Sequence, residues 1–123
     1  MPQNGNYCNS TEEWEVIVQE GSPMGPLLRA VNQVADALVS EFPHVLVDTL
    51  AYQYSRPATK ITKPHPNVVI RLANIECNFA QPLTHPSNKP FQKDMTDWAA
   101  ISNRTYIWNC EYDRRARIGC ALC

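Results

Sequence analysis

The stretch His44–Glu76, HVLVDTLAYQYSRPATKITKPHPNVVIRLANIE, holds two short apolar runs joined by a proline-rich link. The first run, His44–Tyr52, and the second, Asn67–Ile75, are rich in β-branched residues, which suit a pleated, packed surface. Both read as strands. Neither alternates cleanly between apolar and polar residues, so each is expected to be covered on both faces, as in parallel α/β sheets. In the link, Pro57, Pro64 and Pro66 rule out an ordinary crossover helix, because proline lacks the N–H and clashes with the preceding turn. Read from the residues alone, a loop of this length joins either a parallel or an antiparallel pair.

Upstream, Leu27, Leu28, Val31, Val34, Ala35, Leu38, Val39 and Phe42 recur at spacings of three and four. They predict a helix from about Ser22 to Phe42 with one buried face. Ser22 is placed to cap it, Pro23 fits the first turn, and Pro43 closes the far end. Downstream, Phe91, Met95, Trp98, Ala99 and Ile101 predict a second helix over 91–101, and Thr105–Trp108, TYIW, is a third, shorter strand. After Trp108 the sequence NCEYDRRARIGCALC shows neither pattern.

Composition narrows the partners. Lys and Arg total 11 against 12 Asp and Glu, a formal charge of -1, so no basic footprint for nucleic acid or an anionic membrane is present and neither is expected as a partner. Hydrophobic residues make up 44% of the chain, which suits a packed core, yet no run approaches the roughly 18 apolar residues of a membrane span. The opening residues, MPQNGNYCNSTEEWE, carry neither the basic start nor the apolar run of an export signal, and the compartment stays open. Cys8, Cys77, Cys110, Cys120 and Cys123 are an odd number, so they cannot all pair within the chain. Cys120 and Cys123 have the spacing of half a zinc site but no matching second half, so neither metal nor cofactor is expected. Asn9-Ser10-Thr11 and Asn103-Arg104-Thr105 fit the N-glycosylation pattern.

The blocks EGSPMGPLLRAVNQVADAL, VLVDTLAYQYSRPATKITKPHPNVVIRLANIECNFAQPL and YIWN, in that order, resemble the domain-of-unknown-function family numbered 4838. The resemblance covers about residues 4–109 and leaves 110–123 as an unmatched tail. It implies a glycoside-hydrolase-like (β/α)8 barrel related to alpha-glucuronidases and hexosaminidases, and it favours parallel pairing of the two strands. Such a barrel typically takes about 250 residues. The expectation for 123 residues is therefore an incomplete barrel with about three or four parallel strands and two main helices. The sequence departs from the family pattern near Gln3-Asn4, which lacks an acidic residue, and at Trp108-Asn109-Cys110, where the family tends to read Trp-Asp-Tyr.

Glycoside hydrolysis ordinarily uses two carboxyl groups flanking the scissile bond. Glu76, just past the second strand at the end where such barrels keep their active sites, is the candidate catalytic acid, with a structural carboxylate as the bland alternative. Tyr52, Gln53, Tyr54 and Trp108, at or just past strand ends, are candidate sugar-binding residues through ring stacking and hydrogen bonds, although Trp108 fits core packing equally well. Asp48 and Arg71, each about three residues into its strand, are expected to form a buried structural ion pair. His65 and His85 are expected to be solvated. The parent domain is expected to process carbohydrate. This chain alone is expected to be inactive and to seek missing strands or self-associate, with a non-catalytic carbohydrate-binding or interaction role as the alternative.

Overall fold

The computed structural model describes residues 10–109. Helix α1, Thr11–Glu20, opens the fold and was not expected. Its signals are local: the Ser10 side chain accepts the Glu13 N–H at 3.2 Å, Glu12 and Glu13 stand in the first turn where the helix dipole favours negative charge, and Gly21 ends it at φ 66. Helix α2 spans Met24–Val39. Ser22 sits just ahead of it, its hydroxyl accepting the Met24 N–H at 3.1 Å and donating to the Pro57 carbonyl at 2.5 Å.

Strands β1, Val47–Ala51, β2, Val68–Ala73, and β3, Thr105–Trp108, form a parallel sheet in the order β1-β2-β3. Helix α3, Lys89–Ile101, precedes β3. The fold is thus mixed α/β with three parallel strands and three helices, one helix more than the sequence led us to expect.

One face of the sheet carries the core. Met24, Leu28 and Ala35 of α2 and Phe91 and Trp98 of α3 pack with Ala51, Val68, Ile70 and Leu72, and each large side chain so buried contributes about 1.5–3 kcal/mol. The buried stripe of α2 is narrower than its periodicity implied, since Leu27 and Val34 are exposed, and Phe42, also exposed, lies beyond the end of the helix, which was expected to reach it. β2 is buried on both faces, as expected of a central parallel strand. β1 instead alternates, with Thr49 and Ala51 inward and Asp48 and Leu50 outward, because it lies at the edge and only one of its faces meets the helices.

The proline-rich link contains a short 3-10 turn, Gln53–Ser55, and no α-helix. It is pinned to the helices by long-range bonds. The Lys60 N–H reaches the Glu20 carbonyl at 3.0 Å, and Asn32 donates to the Lys63 carbonyl at 2.8 Å while accepting the His65 N–H at 2.9 Å.

Candidate functional site

The three strands run in one direction, so their C-terminal ends share one rim, where open α/β sheets gather ligand-binding groups. At the end of β1 the chain turns sharply through Gln53, a non-glycine residue at φ 47. Ser55 locks this turn, its hydroxyl accepting the Tyr52 N–H and donating to the Tyr52 carbonyl, each at 3.1 Å. The turn delivers Arg56 to the rim. There the Arg56 Nε donates to Asp94 of α3 at 2.6 Å, a second guanidinium nitrogen bonds Glu76 beyond β2, and the Arg56 carbonyl accepts the Trp98 indole N–H at 2.7 Å. Asp94 and Arg56 are nearly buried, whereas the Glu76 side chain is 48% exposed.

Glu76 therefore stands at the surface on a guanidinium fixed from below. Beside it lies a cleft of about 210 Å³ lined by Arg56, Glu76, Cys77, Ser87, Asn88, Pro90 and Phe91. Burial pushes the Cys77 thiol up; Arg56 draws it down and Glu76 adds to the rise, so the thiol is a weak nucleophile at neutral pH. Asn88 shapes the far wall, accepting the Asn78 N–H at 2.7 Å and donating to the Pro82 carbonyl at 3.0 Å. Next along the rim, Asn74 donates to the Asn109 side chain at 2.6 Å.

A second polar group occupies the sheet face away from the helices. Arg71 bonds Asp48, and its guanidinium carbon lies 5.4 Å from the Tyr106 ring centre and 4.5 Å from that of Trp108. The bond to Asp48 raises the Arg71 pKa, and both side chains are partly exposed, 29% for Arg71 and 40% for Asp48. This corrects the expectation of a buried pair. The register also differs from a same-level contact, since Asp48 pairs with Val69 and Arg71 with Leu50, which leaves the two side chains diagonal on one face. Trp108 belongs to this cluster, and its ring carries the Arg71 guanidinium.

The tyrosines separate. Tyr52 and Gln53 form the rim turn, while Tyr54 lines a different groove of about 300 Å³ with Glu13, Ile17, Pro23, Pro26, Leu27 and Ala30. The expected Tyr52-Gln53-Tyr54 segment is therefore split between two surfaces. His65 is not simply solvated: its side chain is 19% exposed, accepts the Asn67 N–H at 3.0 Å and lies 3.4 Å from Asp36. His85 meets the Ser87 hydroxyl at 2.9 Å. Among the described residues no group of three or more His, Cys, Asp or Glu could hold a metal, and the Cys120–Cys123 pair lies outside them. No described helix is long and apolar enough to cross a membrane.

Sequence reading missed Arg56 and Asp94, whose partners come from distant segments, and it missed Glu20. Glu20 is fully buried and accepts from Arg29 Nη2 at 2.7 Å, from the Ile61 and Thr62 N–H groups at 3.0 and 2.9 Å, and from the Thr62 hydroxyl. Burial acts to raise its pKa, but the bonds from Thr62, Arg29 and Ile61 outweigh it and hold Glu20 at about 2, against an ordinary 4.5.

The parallel sheet, its helix-covered face and its polar rim define an α/β unit that presents charged and amide side chains at the strand ends. Residues 2–116 match the family described as Domain of unknown function (DUF4838), and the chain belongs to that family. Comparison with curated proteins and with solved structures gives no match.

Proposed function

We propose that this chain forms a section of a glycoside-hydrolase-like (β/α)8 barrel whose C-terminal rim handles carbohydrate, with Glu76 as one of the two carboxylates that glycoside hydrolysis uses. One observation carries the reading. The parallel rim brings an exposed Glu76, held by Arg56, to the mouth of a cleft beside polar groups from two strand ends. The sheet is open at β1 and β3 among the described residues, and its outer face carries Asp48, Arg71, Tyr106 and Trp108, in keeping with a face that closes around a polar barrel interior.

A second reading, carbohydrate binding without turnover, is favoured by the state of the acids. Asp94 shares Arg56 with Glu76 but is buried and bonded, which leaves Glu76 as the exposed carboxylate in the rim cluster. A complete barrel that contains this section is to be tested on a panel of aryl glycosides and, by calorimetry, on oligosaccharides. Hydrolysis that falls at least about a hundredfold in Glu76→Gln supports the catalytic reading. Binding without hydrolysis, weakened in Arg56→Ala or Tyr52→Ala, supports the second. Neither turnover nor binding across the panel would remove both.

A further inference from the structure

At the rim, Glu76 is held through one oxygen and free at the other. The Arg56 Nη1 donates to Glu76 Oε2, whereas among the described residues Oε1 takes no hydrogen bond, and the half-exposed side chain lines the cleft with Cys77, Asn88 and Phe91. Arg56 itself has little freedom. Its Nε donates to Asp94 Oδ2 at 2.6 Å, its carbonyl accepts the indole N–H of the fully buried Trp98 at 2.7 Å, and its backbone N–H closes the turn onto the Gln53 carbonyl at 3.1 Å. A guanidinium only donates and is always charged. A carboxylate meets it with an unlike charge as well as a hydrogen bond, and a protonated carboxyl would keep only the bond.

Glycoside hydrolysis divides its two carboxyl groups by protonation. One gives its proton to the leaving oxygen, and the other, ionised, attacks the anomeric carbon or takes a proton from the attacking water. We propose that Glu76 is the ionised member, acting through Oε1 as nucleophile or base, and that Arg56 is the residue that positions it. The proton donor then belongs to a segment outside this cluster, because Asp94, the other carboxyl on Arg56, is nearly buried and gives Oδ2 to the guanidinium. This assignment rests on the carbohydrate reading and adds to it the role of each group on the rim.

A complete barrel that contains this section tests it, on aryl glycosides whose leaving phenols run from dinitrophenol to phenol. Glu76→Gln should lower kcat by at least about a hundredfold on every member of the series, because the missing step does not depend on protonating the phenol. Glu76→Ala should regain turnover of the dinitrophenyl glycoside when azide is added. Azide attacks the anomeric carbon, the bond to the leaving oxygen breaks, dinitrophenolate departs with the electron pair, and the glycosyl azide has the configuration opposite to the substrate. Arg56→Lys keeps a charge but cannot span Asp94 and Glu76. Its kcat should fall at least about tenfold with the same flat dependence on the phenol, while KM and the far-ultraviolet circular dichroism stay native. A loss confined to poor leaving groups, or an azide product that keeps the substrate's configuration, would make Glu76 the proton donor and overturn the assignment with the carbohydrate reading intact. Near-normal turnover in Glu76→Gln also overturns it, and a native kcat in Arg56→Lys overturns the part given to Arg56. No turnover in the unsubstituted barrel removes the catalytic reading and the assignment with it. Should Arg56→Lys fail to fold, the Glu76 variants still decide.

Discussion

Glu20 joins the α1–α2 corner to the proline-rich link, and its chemistry sets a pH signature. Its carboxyl is held at about 2 in the fold against an ordinary 4.5, so the folded state favours the ionised form. A depressed carboxyl contributes stability that is full above about 4.5 and is lost as pH falls toward about 2. The loss should reach roughly 3 kcal/mol, from about 1.4 kcal/mol for each unit. Urea denaturation at pH 7, 4 and 2.5 should show this decline, and Glu20→Gln should be less stable at pH 7 with a flatter acid limb. An unchanged limb in that variant would assign the acid sensitivity elsewhere. Gly25 serves the same corner, because a Cβ there would lie 2.6 Å from Glu20 Cγ. Gly25→Ala, which normally stabilises a helix, should here cost at least about 1 kcal/mol by thermal denaturation. Neither role was legible in the sequence. TEEWEVIVQE offers several acids, and nothing local marks the one whose donors lie at Ile61 and Thr62.

Among the elements, the three strands, α2 and α3 were legible because each carries its own periodicity or β-branched run. Helix α1 was not, since Trp14 and Val18 are exposed and no single apolar face announces it, although Ser10-Thr11-Glu12-Glu13 holds the capping pattern that marks its start. Parallel pairing followed from the family resemblance and not from the link, whose anchors Glu20 and Asn32 lie far off in sequence. The ion pairs reverse in rank. Asp48–Arg71 lies on a partly open face, whereas Asp94–Arg56 ties α3 to the rim with both side chains nearly buried. Asp94→Ala should therefore destabilise by roughly 1–3 kcal/mol, since it leaves the nearly buried Arg56 Nε without its acceptor while Glu76 still balances the charge. Asp48→Ala should change stability far less, because water replaces its contact. Chemical denaturation of the two variants side by side checks the order, and equal losses would contradict it.

At the scale of the whole molecule, the sheet buries one face under helices and turns the other, with its Arg71 cluster and two edges, outward. The candidate site was half legible. Glu76 and Tyr52 could be placed at strand ends by sequence, but the partner that fixes Glu76 could not, because Arg56 reaches it only through the strained turn at Gln53. The central claim is that this rim contacts carbohydrate. The most direct measurement is a titration of ¹⁵N-labelled protein with a panel of neutral and acidic oligosaccharides, followed by amide and side-chain NMR shifts. Saturable shifts at Tyr52, Arg56, Asn74, Glu76 and Cys77, reduced in Glu76→Gln, are the predicted result. Shifts confined to the Tyr54 groove, or none at the rim with any sugar, would contradict it.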